Sequence, residues 1–317
     1  MSTADLPVPE GPGAVSGAPN LPAGFRDTFA SRYVDTGDVR LHAVVGGEGP
    51  PLLLVHGWPE NWYAWRLVMP TLAQSFRVIA VDQRGIGLSD KPEAGYDTGS
   101  QARDLVALMD ALGHDRFSVI GHDTGFAISY ALAADHPDRV ERVALLEIPG
   151  SPGAAPSPPV FVPAPINDRL WHLPFNRIEG LNEQLVSGRE EPFLRWEFDA
   201  AAKKLPDDVI AYYVGLISNP ESLHTTFAWY RAIDATIAQD AERKTRPLPM
   251  PVLAIGGALS FGDHVGDAVK AVGSDVQAVV LPDTGHFLAE ESPDELLAAL
   301  TPFLAGAAEP ARSHVVA

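Results

Sequence analysis

Apolar positions along the chain follow two alternating rhythms. Between Arg32 and Val55 three short runs, RYVDT, RLHAVV and PLLLV, are separated by Gly-containing turns. The third is continuously apolar, as a strand buried on both faces should be, and this predicts a parallel central sheet. Apolar strands then alternate with helical patterns: FRVIAV (76–81), a helix over 98–112, FSVIG (117–121), a helix over 124–136 and RVALLE (142–147). The rhythm returns at PVLAIGG (251–257), a helix over 265–272, VQAVVL (276–281) and a last helix over 293–304. Alternation of this kind is the winding of an α/β fold, in which helices cover both faces of the sheet.

The stretch between the two series breaks the pattern. It opens with a Pro/Gly-rich linker, PGSPGAAPSPPVFVPAP (149–165), and continues as a mainly helical region rich in aromatics, among them Trp171, Phe175, Trp196, Phe198, Tyr212, Tyr213, Phe227, Trp229 and Tyr230. Proline disfavours helix and holds the linker extended. Residues 150–240 therefore read as a helical cap over the carboxyl edge of the sheet, where open α/β folds bind ligands.

Composition narrows the function classes. Of 317 residues, 46% are hydrophobic and 20% charged, enough for a substantial core with an inserted lobe. The 41 acidic and 23 basic side chains give a net charge of -18, which repels phosphate backbones and anionic lipid; neither nucleic acid nor membrane is an expected partner. With no cysteine, disulfide scaffolds, thiolate metal sites and cysteine nucleophiles are excluded together. The first twenty residues lack the basic start and apolar stretch of a secretory signal and read as a flexible tail, as does GAAEPARSHVVA at the other end. No run approaches the roughly 18 apolar residues of a transmembrane helix, so a cytoplasmic location is expected.

Candidate chemistry centres on Gly121-His122-Asp123-Thr124-Gly125, which follows an apolar strand and opens a helix. This is the G-x-nucleophile-x-G elbow with Asp in the nucleophile's place. The same five residues alone would also suit an Asp capping an ordinary helix. Their surroundings favour the elbow. His56-Gly57-Trp58-Pro59 ends the strand PLLLV, so the backbone N–H groups of Trp58 and Thr124 are the expected oxyanion hole. His286, in LPDTGHF beyond the last strand, is the expected general base. Two carboxylates compete to orient it, Glu147 at the end of RVALLE and Asp263 in the loop after PVLAIGG; Glu147 is preferred because its strand adjoins that of the nucleophile.

From about Gly24 to Gly306 the chain resembles the epoxide hydrolase and dehalogenase branch of the α/β-hydrolases, through HGWPENWYAW, VDQRGIGLSDKP and GHDTG. Within it the chain is most similar to the Cif-type bacterial epoxide hydrolases, which pair a cap His with a cap Tyr. The matching segments are RLWHLPFN, with His172, and FAWYRAI, with Tyr230. The resemblance supports Glu147 and implies an α/β-hydrolase fold with an inserted helical cap. The expected layout is a tail over 1–24, core over 25–149, cap over 150–240, core over 241–306 and a tail over 307–317.

The activity so implied is opening of a small apolar epoxide to a vicinal diol: Asp123 forms an alkyl ester, His286 activates the water that hydrolyses it, and His172 and Tyr230 meet the departing oxygen. Trp171, Phe175, Phe227 and Trp229 are expected around the substrate. No cofactor or metal is needed, and the ten His form no H-x-x-x-H or H-E-x-x-H pair. The oligomeric state, a homodimer included, is not written in the sequence.

Rival readings leave different marks. Haloalkane dehalogenases usually carry Trp after the nucleophile and Asn or another halide donor after HG, where this chain has Thr124 and Trp58. Fluoroacetate dehalogenases carry Arg after the nucleophile and one turn on, and Trp after the cap His; here stand Thr124, Ile128 and Leu173. A serine esterase would need the G-x-S-x-G that is missing. A ligand-binding homologue without catalysis would keep the pocket but has no need of the whole set Asp123, His286, Glu147, His172 and Tyr230.

Overall fold

The computed structural model describes residues 6–156 and 161–306. Eight strands, β1 (Phe29–Asp35), β2 (Arg40–Gly46), β3 (Pro51–Val55), β4 (Arg77–Val81), β5 (Phe117–His122), β6 (Val140–Leu146), β7 (Leu248–Gly257) and β8 (Gly273–Leu281), form one sheet in the order β1-β2-β4-β3-β5-β6-β7-β8. The pairs β1–β2 and β2–β4 are antiparallel and every later pair is parallel. The sheet is covered on both faces. Leu52, Leu54, Val78, Ala80 and Ile120 point into one apolar core, and Leu53, Val55, Ile79, Val81 and Val119 into the other. That two-sided burial is why these strands read as unbroken apolar runs.

Core helices follow the expected alternation at Thr98–Ala111, Thr124–Asp135, Asp263–Lys270 and Pro293–Leu304. The first is started by Asp97, whose side chain accepts from Ser100 N at 3.0 Å and satisfies one of the free N–H groups of the opening turn. Between β6 and β7 the described residues form eight short helices, from Ala164–Leu170 to Ile233–Arg243. They are tied to the core by polar contacts. Arg66 forms a two-pronged ion pair with Glu290, at 2.5 and 2.8 Å, and the cap's Tyr213 hydroxyl donates to the same carboxylate at 2.9 Å. At the far end Arg243 reaches Asp135 and Thr98 on the core helices.

The amino-terminal segment departs from the expected tail. Residues 1–5 and 307–317 lie outside the described residues, but from Gly11 onward the chain lies against the core. Ala14, Val15 and Ala18 are buried. Gly13 O accepts from Trp62 Nε1 at 2.7 Å, Pro19 O accepts from the Tyr63 hydroxyl at 2.8 Å, and Val15 N donates to Ser31 Oγ at 2.9 Å. The physical reason is the exposed edge that Trp62 and Tyr63 would otherwise present, with an indole N–H and a phenol in need of acceptors. A short segment of Val, Ala, Pro and Gly supplies cover and backbone carbonyls without any periodic pattern of its own.

Candidate active site

Asp123 stands between the end of β5 and the helix Thr124–Asp135, with φ +54°. A non-glycine residue in this region is strained, and the neighbours enforce it. A Cβ at Gly121 would lie 2.2 Å from Gly125 O, and one at Gly125 would lie 2.2 Å from Val55 O, so only glycine lets strand, turn and helix pack this closely. The turn lifts the Asp123 carboxylate off the sheet edge. Oδ1 accepts from Trp58 N at 3.0 Å and Oδ2 lies 3.6 Å from His286 Nε2. Thr124 begins the helix, where N–H groups of the first turn have no acceptor inside it.

His286 is held by its loop. Glu291 accepts from Gly285 N at 2.8 Å and from Phe287 N at 2.9 Å, clamping the backbone on both sides of the histidine. Burial lowers the His286 pKa well below the ordinary histidine value, and a charged His122 nearby adds to the effect while Asp123 opposes it. The ring is therefore neutral near pH 7, the form a general base requires.

His122 and Glu60 form a second pair beneath it. His122 Nε2 donates to His286 O at 2.8 Å and Nδ1 lies 3.1 Å from Glu60 Oε2. Burial opposes charge on His122, but the Glu60 hydrogen bond and carboxylate, Asp123 and the carbonyl outweigh it and raise its pKa to about 9. Sequence reasoning passed over both residues, although Glu60 directly follows H-G-W-P and His122 is the second position of the elbow.

The two acids proposed to orient His286 behave differently from that expectation. Glu147 is fully buried at the end of β6, but its carboxylate accepts from Gly257 N at 2.7 Å and Phe261 N at 3.0 Å. Asp263 is exposed at the start of its helix. Among the described residues neither makes a hydrogen bond or ion pair with His286. The reason lies in the backbone at the end of β7 and in the loop that follows, whose N–H groups turn toward Glu147 and satisfy both of its oxygens. Burial still raises the Glu147 pKa, with those N–H groups opposing. The loop it holds touches the His286 segment: Leu259 N donates to Thr284 O at 2.9 Å, and a Cβ on Gly257 would lie 2.1 Å from Gly285 O.

His172 and Tyr230, 58 positions apart by their numbers, meet in the cap. The His172 ring stacks on Trp58, with centroids 5.1 Å apart and planes 20° apart, while Tyr230 meets both rings edge-on, at 5.5 and 5.9 Å. Burial pushes the Tyr230 pKa up, and the charges of Asp123 and Glu197 push it the same way. Since Trp58 also binds Asp123 through its backbone, one residue links the cap pair to the carboxylate.

Of the expected pocket residues, Trp171, Phe175 and Phe227 gather around Phe193, which contacts Trp58 edge-on at 6.0 Å. Trp229 packs on Tyr230 and borders a cavity of about 10 Å³ shared with Trp58, Thr124, Thr225 and Thr226. That is room for about one water. Among the described residues no cluster of His, Asp and Glu is arranged to hold a metal ion, and no helix is long and apolar enough to cross a membrane.

Comparison with known proteins places the fold in a family. Residues 50–293 match the family model described as alpha/beta hydrolase fold. A soluble epoxide hydrolase of Corynebacterium sp. (strain C12) is 35% identical over 276 residues, covering 84% of this chain and 94% of the relative. A fluoroacetate dehalogenase of Burkholderia sp. is 45% identical over 125 residues, 38% of this chain and 41% of the relative. The crystal structure of Cfl2 from Burkholderia cenocepacia is similar with a TM-score of 0.84 at 34% identity, covering 90% of this chain and 97% of that one.

Proposed function

The chain is an enzyme of the alpha/beta hydrolase fold family, in its epoxide hydrolase branch, and we propose that it opens an epoxide to a vicinal diol through a covalent ester on Asp123. The observation that carries this reading is the Asp123 carboxylate, with one oxygen bound by Trp58 N–H and the other directed to His286. Oδ2 is the attacking atom. It forms a bond to one epoxide carbon, the ring C–O bond breaks, and the electron pair passes to oxygen, which takes a proton from Tyr230 or His172. Oδ1 then becomes the ester carbonyl oxygen and stays on Trp58 N–H, where charge gathers in the next step.

Neutral His286 takes a proton from a water that attacks the ester carbon. Collapse of that intermediate breaks the bond to the diol oxygen, which takes the proton back from His286; the proton left on the Asp123 carboxyl returns to Tyr230 or His172, and the carboxylate is restored. Glu147 acts through the 257–261 loop, keeping the backbone that abuts His286 in place. Dehalogenation by the same carboxylate is the second reading, favoured by the 45% identity to the dehalogenase over 125 residues. Thr124 and Ile128 provide no cation for a haloacid's carboxylate. Assaying terminal epoxides, haloalkanes, fluoroacetate and p-nitrophenyl esters side by side separates the readings. Diol from epoxides is expected, and halide release with no diol would transfer the assignment to the dehalogenase.

A further inference from the structure

Two adjacent threonines dock one cap helix onto the core. Thr225 and Thr226 are buried at the end of the helix Pro220–Thr226. The Thr225 hydroxyl donates to Gly85 O at 2.6 Å, in the core loop after β4, and Thr226 Oγ1 accepts from the indole Nε1–H of Trp58 at 3.0 Å. Trp58 is thereby held at both ends, its backbone N–H by Asp123 Oδ1 and its indole by the cap. Trp171 and Trp229, in the neighbouring aromatic group, have buried indole N–H groups without a partner among the described residues. A buried N–H selects an orientation only where an acceptor meets it. Of these three indoles, then, Trp58 is the one fixed by a directional bond as well as by packing.

We propose that Thr226 is a positioning residue for ring opening: by holding the Trp58 indole it sets the distance between the Asp123 carboxylate and the donors His172 and Tyr230. The inference rests on the epoxide reading and deepens it. Thr226 lies four residues before Tyr230. Tyr230 N donates to Phe227 O at 3.1 Å, so the turn that docks on Trp58 runs directly into the turn that carries the phenol. The His172 ring rests on the face of the same indole, and Tyr230 meets that indole edge-on. A carboxylate attacks an epoxide carbon from the side opposite the departing oxygen, so nucleophile and proton donor must stand across the substrate at a set separation. With its N–H unpaired the indole is free to tilt, and both donors packed on it then shift relative to Asp123. Misplacing reacting groups by about 1 Å costs about 10²-fold in rate.

The test follows alkylation by styrene oxide in a His286→Gln background, where ester accumulates, with rapid quenching and intact-protein mass spectrometry. Thr226→Val keeps the shape and removes the acceptor. It is expected to slow the limiting alkylation rate on the order of 10- to 100-fold, with a smaller change in the epoxide concentration at half-saturation. Thr226→Ser, which keeps the hydroxyl, should stay near the parent rate. Trp58→Phe removes the indole donor, leaves the backbone N–H to Asp123 and should slow alkylation in the same way; it serves if Thr226→Val does not fold. In that background Thr226→Val should add nothing, as for two halves of one contact. An unchanged limiting rate in Thr226→Val or in Trp58→Phe, a loss in Thr226→Ser as large as in Thr226→Val, or full additivity of Thr226→Val with Trp58→Phe would overturn this inference alone and leave the threonine a packing residue. Absence of any adduct in the parent His286→Gln enzyme would overturn the epoxide reading with it.

Discussion

Asp123 and its glycines were legible because the chemistry is local: five contiguous residues must turn sharply, and Gly121 and Gly125 are where the backbone approaches too closely for any Cβ. His172 and Tyr230 were recognised through resemblance, and what they touch could not be read. His172→Phe and Tyr230→Phe are each expected to slow alkylation about 10²- to 10⁴-fold, as loss of a general acid does, while hydrolysis of the preformed ester changes less. Single-turnover quenching checks both steps, and unchanged alkylation in both variants would reduce the pair to packing. Glu147→Gln is expected to slow ester hydrolysis and lower the melting temperature, because one of the N–H groups of Gly257 and Phe261 would face an amide instead of a carboxylate oxygen. Asp263→Asn, at an exposed position, should change neither quantity. The reverse outcome would give the orienting role to Asp263.

At the scale of elements, the central strands of the sheet were readable because burial on both faces leaves little room for polar positions to interrupt them. The segment from Gly11 to Gly24 was not, since its place depends on Trp62 and Tyr63, to which it offers carbonyls and a few small apolar side chains without any periodic pattern. The end of β5 that carries His122 and the loops that carry Glu60 and His286 were readable, but their mutual contacts were not. That junction has a titration consequence. His122 holds its proton more tightly in the folded chain, with its pKa raised from 6.5 to about 9. Its contribution to stability is therefore complete below the unfolded value of 6.5 and is lost as pH rises through about 9. Melting temperatures measured across that window should fall for the wild type and stay flatter for Glu60→Gln. Parallel curves would mean that the pair does not carry the charge.

For the whole molecule, the core and cap are joined by a few buried polar contacts in addition to aromatic packing. Glu290 binds Arg66 from the core and Tyr213 from the cap with little exposure on either ionic partner. Glu290→Ala leaves Arg66 buried without its partner and should destabilise the protein by about 3–5 kcal/mol in denaturant unfolding, whereas a loss near zero would show that the cap docks without it. The net charge of -18 suits the neutral epoxide proposed as substrate better than an anionic one.

The division of labour between Asp123 and His286 is tested most directly by stranding the intermediate. In His286→Gln the attacking carboxylate and Trp58 N–H remain, but no base activates water. Exposure of this variant to a reactive epoxide is expected to add one substrate mass to the intact protein, with peptide mapping placing it on Asp123, and Asp123→Ala in the same background should gain nothing. Diol production by Asp123→Ala, or an adduct on another residue, would contradict the ester mechanism.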